Sequence, residues 1–282
     1  TASSRPASAE SIAESVVSSR PMPGAFTLMT WNVNSIRARL DNVLAYLDDH
    51  QPDVACLQET KVEDALFPKV PFMELGYKVE IHGSKGQAGV ATLSKIKATE
   101  VQRGFAEGAP DKHARILATT IQGVRIYNLY VPNGTSLASE HFAYKLAWLD
   151  RLRAELDAKY QPEQAVILCG DFNVARDERD VWSVAALAGH THFTPEEHRA
   201  LDQLEGFGLR DCFRKHDQAP GRYTWWDYRD AAMGKMHCMR IDYVYATAPL
   251  YEACTKVVHD WEPRDWDSPS DHVPVTATFT AS

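Results

Sequence analysis

Eight polar residues of this 282-residue chain end or adjoin apolar runs: Asn32, Glu59, Tyr130, Asp171, Asn173, Asp242, Asp271 and His272. Three are carboxylates lodged in the runs themselves. Glu59 follows Cys56-Leu57-Gln58, Asp171 follows Ile167-Leu168-Cys169-Gly170, and Asp242 sits inside Arg240-Ile241-Asp242-Tyr243-Val244. A carboxylate buried in such surroundings costs several kcal/mol unless it is paired, hydrogen-bonded or bound to a cation. Three such cases point to a common cation, with Glu59 the first candidate ligand. Carboxylate and amide oxygens without clustered His or Cys suit a hard ion, Mg²⁺ or Mn²⁺, better than Zn²⁺. His272 stands at a turn entering a strand, and Asp242 offers a second carboxylate to fix its imidazole. The competing reading of each position is a plain turn, because Asn, Asp and Gly end strands for backbone reasons alone.

Other chemistries lack their parts. No GxSxG elbow supplies a serine nucleophile, and neither GxGxxG nor a P-loop occurs. The five cysteines are odd in number and show no CxxC spacing, which favours buried thiols in a reduced compartment over disulfides or zinc. A net charge of -8, from 38 acidic and 30 basic residues, argues on average against a nucleic-acid binder. The average is a poor guide where a few basic residues gather at one rim beside a bound cation.

The elements that position these residues alternate strand and helix from Phe26 onward. FTLMTWNVNS reads as a strand breaking at Asn32 to Ser35, followed by a helix with Ile36, Leu40, Val43, Leu44 and Leu47 on its apolar side. DVACLQE is a short strand, GYKVEIHGSKGQAGVATLSK gives two strands around a Gly-rich loop, and RILATTI and VRIYNLYVPNG give two more. Helices are expected over 142–160 and 195–204, the second started by Pro195. AVILCGDFN, RIDYVYAT and HVPVTATF read as further strands. Strand ends and the loops after them hold side chains with little positional freedom, so a shared site is expected there.

No Pro/Ser/Gly linker interrupts 26–279, and one α/β domain is expected over 26–282. Residues 1–25, rich in Ser, Ala and Pro, read as a disordered tail. No apolar run has the length of a membrane-spanning helix. A monomer in the cytoplasm, associated with the nucleoid and with no membrane partner, is the expectation.

In chain order, TWNVNSIRARL, LQETKV, GQAGVATLS, YVPNG, GDFNVA, YTWWDYR, RIDYVY and SDHVPV resemble the exonuclease III type of apurinic/apyrimidinic endonuclease, a branch of the DNase I-like superfamily. The resemblance covers about 26–279. It implies a four-layer α/β sandwich, two packed mixed β-sheets flanked by helices, with the site at one rim. The implied reaction is hydrolysis of a DNA phosphodiester, 5′ to an abasic sugar or at a 3′ end, with Mg²⁺ or Mn²⁺. Its partner is double-stranded DNA carrying abasic sites or blocked 3′ ends.

Residue roles follow by motif. Glu59 resembles the principal metal ligand, with Asn32, Asp171, Asn173, Asp271 and His272 in or near the same metal site. Asp171 and Asn173 resemble the pair that activates and orients water. His272, held by Asp242, resembles the group touching the scissile phosphate, and Tyr130 the tyrosine that serves the phosphate or the leaving oxygen. Trp225 resembles the wall of an abasic-sugar pocket, and Arg229 a side chain inserted into the duplex. Asn34, Arg37 and Lys61 are candidate substrate contacts, and Lys85, Lys112, Arg176, Arg222 and Lys235 are further loop cations. Met239 and Gln87 depart from the family pattern, in which Trp or Leu and an aromatic are frequent. A flexible Met discriminates less sharply between lesions.

Two other readings keep the fold. One is a phosphoesterase acting on RNA tails, inositol phosphates or sphingomyelin, against which the block GTSLASEHFAYKLAWLDRL resembles bacterial exonuclease III relatives. The other is a non-catalytic nucleic-acid-binding regulator. Retention of Glu59, Asp171, Asn173, Asp242 and His272 argues against it.

Overall fold

The computed structural model describes residues 24–227 and 237–280. Arg229, Lys235 and nearly all of the expected tail lie outside the described residues.

One six-stranded sheet has the order β13-β14-β1-β2-β4-β3, with β1 Phe26–Asn32, β2 Val54–Gln58, β3 Lys78–His82, β4 Val90–Ser94, β13 Cys254–His259 and β14 Val275–Phe279. The second has the order β5-β6-β7-β8-β12-β9, with β5 Glu100–Arg103, β6 Ile116–Ile121, β7 Val124–Tyr130, β8 Val166–Asp171, β9 Arg210–Asp211 and β12 Asp242–Ala246. Both are mixed, because β1 runs parallel to β2 and β7 parallel to β8 while their other neighbours are antiparallel. A two-stranded ribbon, β10 Trp225–Trp226 with β11 Cys238–Met239, stands apart.

The central strands VACLQ and VILCGD are buried along their whole length, as strands covered on both faces must be. Leu28, Cys56, Ile126, Ile167, Cys169, Val244 and Ala277 form the apolar layer between the sheets. Outside the first sheet, Met29, Trp31, Leu57 and Leu93 meet Val43 and Leu47 of α1 (Leu40–His50). Outside the second, Tyr127, Leu129 and Leu168 meet Trp148, Leu149, Leu152 and Leu156 of a long helix (Glu140–Lys159) and Leu201 and Leu204 of another (Pro195–Gly206). The four-layer α/β sandwich expected from the motifs is the observed fold. Among the described residues no helix is long and apolar enough to cross a membrane.

A buried polar bolt joins the sheets. Gln58 Nε2 donates to Thr30 Oγ1 at 2.9 Å and to Asn128 Oδ1 at 2.7 Å, and Asn128 Nδ2 donates to the Ala91 carbonyl at 2.9 Å. Register then fixes the rim above it. Asn32 lies level with Gln58, Tyr130 with Asp171, and Asp171 with Asp242 at the start of β12.

Two of the helices start away from where they are expected. α1 begins at Leu40 rather than near Ile36, because Asn34 and Ser35 take positive φ (44° and 89°) and a turn follows. The long helix starts at Glu140 rather than at 142, where the Ser139 side chain caps it, while the helix from Pro195 starts as expected, with Thr194 and Glu197 closing a capping box. β5, β13 and a short helix over Lys69–Glu74 went unread, since their exposed positions break any apolar period. All five cysteines are free and buried.

Candidate active site

The rim is built by loops in costly backbone conformations. Asn34, Ser35, Glu59, Lys61, Ala88 and Asn173 are non-glycine residues with φ between 44° and 89°. Cross-loop bonds hold them there: Ser35 N–H to the Glu59 carbonyl at 2.7 Å, Thr60 N–H to Gly89 at 3.1 Å and Lys61 N–H to Ala88 at 2.9 Å.

Asn32, fully buried at the end of β1, donates its amide to Glu59 Oε1 at 2.8 Å and to Asp171 Oδ2 at 2.9 Å. It therefore clamps two carboxylates from different sheets, and its own oxygen accepts the Asn34 N–H at 3.0 Å. Burial pushes the Glu59 carboxyl up, but Lys61, 2.8 Å away, and the Asn32 amide together bring it below the ordinary glutamate value. Tyr130, beside Glu59, keeps its hydroxyl proton well above the usual phenol range because it is buried and faces Glu59 and Asp171. The Arg115 guanidinium covers its ring at 4.9 Å.

Asp171, 1% exposed, is gripped by Asn173, whose backbone N–H reaches Oδ1 at 2.9 Å and whose side-chain amide reaches Oδ2 at 3.3 Å. Asn133, from the loop after β7, donates in turn to Asn173 Oδ1 at 3.1 Å. His272 Nδ1 donates to Asp242 Oδ2 at 2.8 Å, and its Nε2 faces Asp171 Oδ2 at 3.7 Å. β1 seats this histidine: Trp31 Nε1 donates to the His272 carbonyl at 3.0 Å, and Ser270, whose hydroxyl donates to the Asn32 carbonyl at 2.6 Å, receives the His272 N–H at 3.2 Å. Burial lowers the affinity of His272 for its proton, yet the charges of Asp242 and Asp171 outweigh it and raise the imidazole to about 10. Burial raises the Asp171 carboxyl to about 7, opposed by His272 and reinforced by Asp242 and Glu59.

One oxygen of Glu59, one of Asp171 and a ring nitrogen of His272 lie within 4.8 Å of one another; the two carboxylate oxygens could hold a single metal ion, with the protonated His272 standing beside it rather than ligating. Burial raises the Asp171 carboxyl first of all, with the Asp242 and Glu59 charges adding to it, and a divalent cation at this spot would favour its ionised form. These residues fit the ion. Asp271 lies outside the three-residue cluster, because its oxygens accept from Asn34 Nδ2 at 3.0 Å and Trp225 Nε1 at 3.2 Å. Asn32 and Asn173 act as clamps on the carboxylates, their amide oxygens already engaged.

The expected substrate contacts are distributed unevenly. Trp225 stands partly exposed at the rim, pairing with Met239 across the ribbon. Met239 is buried at 3% exposure with Val181, Ile241, Trp182 and Phe193 around it, so it backs the wall rather than facing solvent. Lys61 is drawn onto Glu59, and its Nζ donates to Asn34 Oδ1 at 2.5 Å. Arg37, Lys85 and Lys112 are exposed, and Lys112 lines a cavity of about 440 Å³ with Gln87, His113, Arg115, Asn133 and Thr135. Arg176 is paired with Asp202 and Glu205, and Arg222 with Asp217. Arg115, Asn133, Ser270 and Trp182 were missed. Asn133 and Ser270 carried a signal, their places in YVPN and SDHVPV.

Two facing mixed sheets with a carboxylate–histidine cluster at one rim define a class, and the comparisons place the chain in it. The chain belongs to the endonuclease/exonuclease/phosphatase family, which it matches over residues 29–272. Within it, the chain is 32% identical to the exodeoxyribonuclease III of Haemophilus influenzae, over 89% of this chain and 98% of that protein. An AP endonuclease from Archaeoglobus fulgidus superposes with a TM-score of 0.84 at 36% identity, covering 90% of this chain and 99% of the other. A 3′ phosphatase from Neisseria, solved with a product DNA hairpin, gives 0.86 at 33% identity with the same coverage.

Proposed function

We propose that this protein is a DNA-repair nuclease that hydrolyses the phosphodiester 5′ to an abasic site and also clears 3′ ends. The observation that carries the reading is the Glu59–Asp171–His272 cluster, assembled from both sheets with its atoms within 4.8 Å. Structural relatives that are an AP endonuclease, a 3′ phosphatase and a 3′-5′ exonuclease support the substrate class. The chain is proposed to work as a monomeric unit over 26–282.

Hydrolysis gathers negative charge on the non-bridging and departing oxygens of the phosphate. A bound Mg²⁺, or Mn²⁺ in its place, held by Glu59 and Asp171 with His272 beside it, supplies neutralisation of that charge. Asp171, held in place by Asn32 and Asn173, is positioned to take a proton from water as the hydroxyl attacks phosphorus. The P–O3′ bond breaks, and the departing oxygen ends as a 3′-hydroxyl. His272, protonated to about 10, donates to a non-bridging oxygen. Tyr130 keeps its hydroxyl hydrogen for phosphate or for the leaving oxygen. Trp225 offers a flat apolar wall to an extruded deoxyribose.

The test is a duplex with one abasic site, compared with a duplex carrying a 3′-phosphate. Nicking in Mg²⁺ that EDTA abolishes is the expected result. Binding of both duplexes without cleavage in Mg²⁺ or Mn²⁺ gives the protein to the regulator reading, and cleavage confined to intact 3′ ends removes the abasic assignment.

A further inference from the structure

Below the loops that follow β7 and β8, the long helix Glu140–Lys159 buries a lysine that the reaction scheme above does not use. Lys145 and its partner Glu197, from the helix Pro195–Gly206, are both fully buried. Lys145 Nζ donates to the Asn173 carbonyl at 2.6 Å, to the Asn133 carbonyl at 3.2 Å and to Glu197 Oε1 at 2.5 Å. All three of its hydrogens have a partner. Glu197 is equally occupied, with the His192 N–H at 3.0 Å on Oε1 and the Thr194 N–H and hydroxyl at 3.1 and 3.0 Å on Oε2.

Such a pair is a weak source of stability, since desolvating two charges offsets most of their attraction and an apolar pair of similar volume often does as well. What the charged pair adds is direction. The Asn173 carbonyl it holds belongs to a residue at φ 52°, a conformation that an asparagine keeps only when its surroundings enforce it. His192 Nδ1 donates to the same carbonyl at 2.6 Å. Turning that backbone would pull the Asn173 N–H and amide away from Asp171, and would move Asn133, which bonds Asn173 Oδ1.

We propose that Lys145, seated on Glu197, is a positioning residue for DNA hydrolysis: it pins the Asn133 and Asn173 carbonyls, so that Asn173 holds Asp171 at the angle the attacking water needs. This deepens the nuclease reading and rests on it. A mere staple between the two helices would make a different prediction, because a neutral pair would restore both fold and turnover together.

The experiment compares wild type with the full chain carrying Lys145→Met and Glu197→Gln, which removes both charges and leaves neither unpaired. The expected result is a urea midpoint close to wild type, an unchanged KM for abasic duplex, and a kcat lower by about tenfold or more. A Lys145→Gln, Glu197→Gln chain, which returns an N–H donor to the pocket, is expected to recover part of kcat. A folded Met-bearing chain with wild-type kcat overturns the proposal, as do equal kcat values for the two variants. Should the Met-bearing chain fail to fold, the Gln-bearing one decides: reduced kcat at unchanged KM supports pinning, and unchanged kcat overturns it. A wild type that cuts no DNA defeats the nuclease reading itself and this inference with it, an outcome distinct from any of these.

Discussion

The Nδ1–H of His272 points into Asp242 Oδ2 at 2.8 Å, and neither side chain exceeds 4% exposure. The carboxylate thereby fixes which nitrogen faces the rim and keeps the ring protonated across the physiological range. Asp242→Asn preserves shape and removes the charge. The substitution is expected to lower kcat about 10²-fold or more while leaving duplex affinity within a few-fold, measured by single-turnover cleavage and by binding in EDTA.

Metal binding is readable without activity. Because the cluster exists only in the folded chain, Mg²⁺ is expected to raise the thermal midpoint, approaching about 2.7 kcal/mol of added stability at 100 times its Kd. Glu59→Gln weakens the site and should shrink that shift. An equal shift in the variant would remove Glu59 from the ligand set.

Acid should weaken the fold through His192. Burial, then the neighbouring Lys145 charge, lowers its imidazole to about 4, whereas an unfolded histidine titrates near 6.5. The unfolded chain then binds the proton first, so the contribution is complete above about 6.5 and is lost as pH falls towards 4. The residue as a whole is only half-buried, so water screens some of the effect. His192→Gln is expected to flatten the decline in urea midpoint between pH 7 and 5 relative to wild type.

Gly170 has no room for a side chain. At φ 139°, an added Cβ would stand 1.9 Å from the Leu129 carbonyl oxygen of the parallel neighbour β7. Gly170→Ala must push apart two paired central strands immediately before Asp171. A loss of more than about 3 kcal/mol in urea unfolding is expected, with cleavage lost alongside.

Much of this was legible in the sequence for a physical reason. Asp171 and Asp242 interrupt apolar runs, and a charge inside a strand that must be buried announces a compensating partner. The sandwich itself followed from the motif resemblance, whereas the apolar runs alone indicated one α/β domain of alternating strands and helices. What stayed hidden depends on partners distant in sequence. Lys61 is drawn to Glu59, Arg176 to Asp202 and Glu205, and Arg222 to Asp217, so loop cations that looked available for phosphate are bound to other residues. Asn32 carries an oxygen that looks like a ligand, but only tertiary placement shows it spending its amide on two carboxylates. Edge strands such as β5 escaped because half-exposed residues carry no period.

The pairing of β1 with β14 has a consequence for how the protein is made. β1 sits between β2 and β14, with Phe26 opposite Phe279 and their rings stacked 4.8 Å apart. His272 rides on the segment leading into β14. A ribosome that has released the first 250 residues has therefore produced Glu59 and Asp171 but neither the strand that completes the first sheet nor the imidazole of the site. Until β14 emerges, β1 presents an unpaired edge to the cell. The site therefore gains its imidazole only when the segment leading into β14 has been made, well after both of its carboxylates.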